Sequence, residues 1–307
     1  MKTVAIQHGF AALATFALLS TSLAAGAGPR RIKVSTDGSS VDASTAPGTT
    51  TTTVTDTAAK GDYASILVNG YSPKSLSWSG RSWRVNSGAT WNANLVRSIM
   101  ISPSGKRTRF ELQNYEVDKA SGDSTGVRRS ELSGSLYGDA TRLPNSVSLW
   151  GAMSFVHGSW ADPVGMATKT GGVYGQIHIG STFGGSPAVG FRRAKDGRFR
   201  ITTRGELSTA STIRYQAPLS FDTVHDLVYN VVLDPVNGSL KVWLDGALVV
   251  DVSKVSIGTH YAESYFNHGT YFSGGITTPV VAEYANIAYP GQTSLLARVN
   301  SRPVWPI

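Results

Sequence analysis

The sequence predicts an all-β protein, a two-sheet antiparallel β-sandwich, on three observations. Only 16% of the 307 residues are charged, against roughly 25% in an ordinary soluble domain. Gly, Ser and Thr are abundant, and 7 Trp, 12 Tyr and 10 Phe stand among many β-branched residues, the composition of strands joined by tight turns. Short alternating runs recur along the chain, and no long segment shows helical spacing.

The N-terminus reads as an address. Lys2 supplies positive charge, residues 10–19 are an apolar run, and Ala25-Gly26-Ala27 offers a small-residue cleavage site. The run is too short to span a bilayer, so residues 1–27 are predicted to be a signal peptide and the protein to be secreted and extracellular. Residues 28–60, rich in Ser, Thr, Asp, Gly and Ala, lack the apolar side chains needed to order them and read as a disordered linker. Residues 61–307 show no second composition break and are predicted to form one domain. The chain has no cysteine, which excludes a disulfide framework, a thiolate metal site and a thiol nucleophile. An exported domain without disulfides needs a core large enough to stand alone.

Strand patterns occupy residues 128–134, 147–156, 172–179, 191–203 (around a Lys195-Asp196-Gly197 turn), 228–233, 240–252, 264–274 and 280–289. Asn237-Gly238 between apolar runs is a hairpin signal. With Ser239 it also makes a glycosylation sequon, but the turn is the preferred reading.

Three of these strands carry more polar chemistry than a sandwich needs. Residues i, i+2 and i+4 of a strand share a face. Val173, Ile177 and Ile179 are expected on the core face, leaving Tyr174, Gln176 and His178 on the other. Leu132 faces the core, so Arg129 and Glu131 point away from it. Phe266, His268 and Phe272 share one face, and Tyr265, Asn267, Gly269 and Tyr271 the other. A cation, an amide, an imidazole and a phenol are thereby offered together. The hairpin around Gly197 places Arg198, Arg200 and Arg204 on one face, where they are candidates for contacts to anionic groups. His157, His225, His260 and His268 read as structural or surface residues, with His157 near enough to a loop to reach a cleft.

Arg129-Ser130-Glu131-Leu132, Gln176-Ile177-His178 and Tyr265-Phe266-Asn267-His268-Gly269-Thr270-Tyr271 resemble, in the same order, the three signatures of the alginate lyases of polysaccharide lyase family seven: R-S/T-E-L-R, Q-I/V-H and Y-F-K-x-G-x-Y. The stretch Leu240-Lys241-Val242-Trp243-Leu244-Asp245-Gly246 is similar to the heparin lyase I and glucuronan lyase group. The resemblance covers residues 109–289. It implies a jelly-roll, concanavalin A-like sandwich with a concave substrate cleft. Two departures remove positive charge from that cleft: Ser133 stands where the alginate lyases have a second Arg, and Asn267 where they have Lys.

The resemblance further implies β-elimination on a 4-linked uronate polymer, alginate or glucuronan-like. Removing the C5 proton builds charge on the neighbouring carboxylate, so that group must be neutralised in advance. Arg129 and Gln176 are expected to do this, helped by Asn267. By resemblance Tyr271 is the acid, and either Tyr271 or His178 is the base. Glu131 is expected to orient Arg129, and Tyr174, Tyr265 and Asn267, with Arg198, Arg200 and Arg204, to contact substrate. No cofactor or metal is required. Some related lyases carry calcium, but the sequence shows no ligand cluster for it.

Charge agrees with the sign of such a substrate. Of the formal net +8, residues 1–60 contribute +2 and the predicted domain +6, so an acidic polymer is the expected partner. No nucleic-acid motif, membrane span or glycine-rich phosphate loop is present, and the protein is expected to act as a monomer. Two other classes fit a secreted sandwich. A non-catalytic lectin would not need these polar groups to converge, and a glycoside hydrolase would need paired carboxylates, which are scarce here.

Overall fold

Runs in which every second residue is apolar bury one face only by packing sheet against sheet, and that is what the chain does. The computed structural model describes residues 63–65, 75–87, 99–112, 127–134, 142–157, 172–180, 187–194, 196–205, 210–261, 263–273 and 280–306. All lie within the unit Gly48–Ile307. The expected signal peptide and linker lie outside the described residues, as do Trp91 and Trp160.

The strands are β1 (Ala64–Ser65), β2 (Ser75–Trp78), β3 (Arg81–Ser87), β4 (Ile99–Ile101), β5 (Arg107–Leu112), β6 (Val127–Ser133), β7 (Ser148–His157), β8 (Gly172–His178), β9 (Pro187–Arg193), β10 (Phe199–Thr203), β11 (Thr212–Ala217), β12 (His225–Val232), β13 (Asp234–Leu244), β14 (Ala247–Ile257), β15 (Tyr265–Ser273) and β16 (Val280–Gly291). They form two antiparallel sheets of eight. The first runs β1-β4-β5-β16-β7-β12-β13-β14 and the second β11-β10-β9-β8-β15-β6-β3-β2. This is the jelly-roll β-sandwich expected of the sequence.

The core lies between the sheets. Phe110, Phe155, Leu227, Tyr229 and Tyr284 from the first meet Trp83, Leu132, Ile177, Phe191, Phe199 and Phe266 from the second, all buried. Each such side chain contributes about 1.5–3 kcal/mol on full burial, which lets the domain stand without disulfides. A short helix, α1 (Leu296–Asn300), packs Val299 against Ala152 and Val228. Its Arg298 donates to Asp226 at 2.6 and 3.1 Å.

One strand expectation is corrected. Residues 240–252 are not a single strand but the two arms of the β13–β14 hairpin. The chain reverses at Asp245-Gly246, both with positive φ (56° and 83°), as a tight two-residue hairpin turn requires. The expected reversal is present, but it is centred on the residues before Asn237-Gly238, which lie inside β13 and take no positive φ. Asp234 Oδ1 accepts the backbone N–H of Val236 and Asn237 at 2.8 and 2.7 Å, and β12 and β13 pair on either side of it, Val232 opposite Ser239.

Candidate active site

β6, β15 and β8 are neighbours in the second sheet, so the three polar strands lie side by side. Register then sets which side chains meet. Asn267 is opposite Ser133 on one side and Gln176 on the other. Tyr265 is opposite His178, Gly269 opposite Glu131, and Tyr271 opposite both Arg129 and Val173. Because Leu132, Ile177 and Phe266 point into the core, alternation turns Glu131, Gln176 and Asn267 to the far face. Even there all three are buried, so they form the sheltered floor of the site rather than open surface.

Glu131 holds this floor together. One carboxylate oxygen accepts Arg129 Nη1 at 3.2 Å, and the other accepts Gln176 Nε2 at 2.8 Å from beyond the intervening strand. Gly269 makes the arrangement sterically feasible. Its φ is +132°, and a Cβ there would lie 2.7 Å from Glu131 Cα and closer still to Ser130 O. Any other residue would push β6 and Glu131 away. The Arg129 guanidinium sits 4.6 Å from the Tyr271 ring centroid, a cation–π geometry. His178 stacks on Tyr265, with ring centroids 5.2 Å apart and planes at 23°. Along the sheet, Tyr271 and His178 therefore flank the amide row of Gln176 and Asn267. Asn267 Oδ1 and Asn86 Oδ1, the latter on β3 opposite Glu131, are buried acceptors with no partner among the described residues. Such groups are costly unless something donates to them.

The structure brings together Arg129, Glu131, Gln176, His178, Tyr265, Asn267 and Tyr271, but not Tyr174. Between Val173 and Gly175 the pairing of β8 with β9 shifts by one residue. This bulge turns Tyr174 inward, against His157 at 3.7 Å between ring centroids and edge-on to Phe272. A bulge restarts the alternation, so Val173 rather than Tyr174 shares the site row with Tyr271. Tyr174 is core, and burial raises its phenol pKa.

His157 is likewise inside, buried against Tyr174 and Phe155 with both ring nitrogens unpartnered among the described residues, and does not reach the site. His268 is boxed by Trp78, Trp83, Phe110, Phe266 and Tyr284. His225 bonds Asp245 at 2.7 Å, and His260 is exposed. Arg198 and Arg200 both converge on Asp196, at 2.5 and 3.4 Å. The hydrogen bond from Arg198 pulls the Asp196 carboxyl down to about 2. The turn itself thus answers part of the charge of this hairpin. Arg204 follows β10, and burial lowers its pKa.

Arg192 was missed by the sequence reading. Val189 and Phe191 on β9 point into the core, so Gly190 and Arg192 lie on the site face, opposite Gln176 and Val173 respectively. Alternation within β9 was a usable signal, but Arg192-Arg193 is a doublet and only the register says which arginine faces the site. Arg193 is buried instead, donating to the carbonyls of Gly197 and Leu219. Among the described residues no group of His, Asp and Glu is arranged to hold a metal ion.

No family model matches the sequence, and no curated protein matches it. Among solved structures the chain is similar to an endo-β-1,4-glucuronan lyase from the fungus Trichoderma reesei, at 14% identity over 61% of this chain and 81% of that one, with TM-score 0.47. It is similar to the family 7 alginate lyase A1-II' in complex with substrate, at 13% identity over 67% and 88%, with TM-score 0.46. A glycoside hydrolase family 131 catalytic domain from Coprinopsis cinerea is similar at 13% identity over 72% and 88%, with TM-score 0.48. Glucuronan and alginate lyases thus stand among the structural neighbours beside a hydrolase, and the likeness is one of sandwich architecture.

Proposed function

We propose that this protein is a secreted polysaccharide lyase that cleaves a 4-linked uronate polymer by β-elimination. One observation carries the reading: a guanidinium, two carboxamides, a phenol and an imidazole, drawn from three adjacent strands, lie on one sheltered face around a carboxylate that is already occupied. Glu131 is the one carboxylate on β6, β8 and β15, and it is bonded to Arg129 and Gln176. A hydrolase working through two carboxylates would need a second beside it.

In the elimination, Arg129, Gln176 and Asn267 take the uronate carboxylate and stabilise the enediolate that forms as the C5 proton leaves. The C5–H electrons become the C4=C5 double bond, the C4–O4 bond breaks, and O4 receives a proton from Tyr271. The C5 proton goes to Tyr271 as phenolate or to His178. In the first case the same proton is passed on to O4; in the second it stays on the imidazole. The product carries an unsaturated uronate at the new non-reducing end.

The test is to mix the protein with alginate, polyglucuronate, hyaluronan and heparin and follow the ultraviolet absorbance of that product. Tyr271→Phe should abolish turnover while sparing most binding. Reducing ends without the absorbance would make the protein a hydrolase, and binding with neither would make it a lectin.

A further inference from the structure

The charges on the site face are unevenly matched. Arg129 is paired with Glu131, and Arg198 and Arg200 with Asp196. Arg192 is partly buried, and among the described residues its side chain makes one hydrogen bond, from Nε to Thr202 Oγ1, 3.1 Å away. Among the described residues it has no carboxylate partner. Burial, then the nearby Arg204 guanidinium, push its pKa down to about 10, opposed by the Tyr271 phenol. A guanidinium sheltered from water without an anion is unfavourable, and proteins keep such local faults chiefly where function needs them.

Its side chain is also aimed. Arg192 and Tyr271 lie opposite the same residue, Val173, from strands on either side of β8. From there the Arg192 side chain folds over Gly190. A Cβ at that position would lie 2.6 Å from Arg192 Nε and 3.4 Å from Cζ. Gly190 is opposite Gln176, so the guanidinium is brought into the row of Gln176 and Asn267. Tyr271 thus has Arg129 against its ring, with Arg192 across β8 from it and within electrostatic reach of its phenol.

We propose that Arg192 binds a uronate carboxylate beside Tyr271, supplying the positive charge that in Arg129 is already matched by Glu131. The proposal rests on the lyase reading for the identity of the ligand, and it assigns to β9 a part of the anion recognition that the sequence alone placed on Arg129, Gln176 and Asn267 and on Arg198, Arg200 and Arg204. Arg129, its charge already answered by Glu131, shares the carboxylate with Gln176 and Asn267, while Arg192 adds the unmatched charge-assisted pair. Gly190 and Thr202 keep it in place.

The experiment compares the full chain with its Arg192→Gln and Arg192→Lys variants. Calorimetric binding is measured to oligouronates prepared from alginate and from polyglucuronate, and to the same oligomers after carboxyl reduction. Cleavage and thermal unfolding are followed in parallel. Arg192→Gln should weaken binding of the acidic oligomers at least tenfold and raise KM similarly. Arg192→Lys should recover part of the loss, and the reduced oligomers should not distinguish the proteins. Losing an unmatched buried charge should leave Tm unchanged or higher, whereas a structural arginine would lower it.

Unchanged binding in Arg192→Gln would overturn the proposal, as would a lowered Tm that accounts for the loss, or equal wild-type affinity for acidic and reduced oligomers. Arginine-dependent binding without cleavage of any polymer would sink the lyase reading and leave Arg192 standing. Cleavage with an unchanged KM in the variant would do the reverse.

Discussion

Gln176 Nε2 donates to Glu131 Oε1 at 2.8 Å although the two residues belong to strands separated by β15. The same carboxylate accepts Arg129 through its other oxygen at 3.2 Å. One buried acid therefore orients a donor on each side of the strand that carries Tyr271. Glu131→Gln keeps the shape but removes the charge facing Arg129 and puts an amide opposite an amide. Turnover should fall at least a hundredfold with the fold intact. Steady-state kinetics beside a melting curve check this, and turnover near wild type would show that Glu131 does not position the site.

Gly269 is the steric hinge of that arrangement. An Ala there would be held at a left-handed φ with its Cβ against β6, a strain of about 1–3 kcal/mol. Gly269→Ala should lower the urea midpoint accordingly and cut turnover more than tenfold, because relief of the clash moves Glu131. Chemical unfolding and kinetics on the same preparation read both effects.

Tyr174 separates a core role from a site role. Its ring lies between the sheets against His157 and Phe272, and Tyr284 donates to its backbone carbonyl at 2.6 Å, a bond that does not need its hydroxyl. Tyr174→Phe should keep kcat and KM within twofold and change stability by about 1 kcal/mol or less. A severalfold rise in KM would return Tyr174 to the substrate side.

His268 should make the protein acid-sensitive. Burial among aromatic rings lowers its pKa from 6.5 to about 3, so the folded protein holds this imidazole neutral while the unfolded chain protonates it. The stabilisation is complete above about pH 6.5 and is lost as pH falls toward 3, at up to about 1.4 kcal/mol per pH unit for one group. His157 is lowered too, by burial first and by Arg193 and His225 after it, and adds to the slope in the same sense. His268→Phe should flatten the fall in Tm between pH 6.5 and 4 relative to wild type. An unchanged slope would mean that His268 titrates normally.

The site was largely legible because a strand's alternation is local. Leu132 beside Glu131, Ile177 beside Gln176, and Phe266 beside Asn267 are enough to say which side chains share a face. What failed was whatever depends on a partner strand. Nothing within residues 172–179 says that β8 carries a bulge where it pairs with β9, so its alternation alone puts Tyr174 on the wrong face. The Asp245-Gly246 reversal was in the sequence but was masked by apolar residues on both sides. Arg192 was hidden for a third reason: next to Arg193, either residue fits outward until Phe191 is seen in the core.

By itself the sequence determined the all-β class, the basic charge of the domain, and three strands each with one chemically equipped face. These follow from composition and from the two-residue period of a strand, which is local wherever no bulge restarts it. Only the tertiary structure decided that β8, β15 and β6 are neighbours, that Glu131 reaches over Gly269 to Gln176, that Tyr174 turns inward, and that Arg192 joins the site from β9. Strand order, register and bulges are set by hydrogen bonds between segments far apart in the chain, so no stretch of sequence carries them alone.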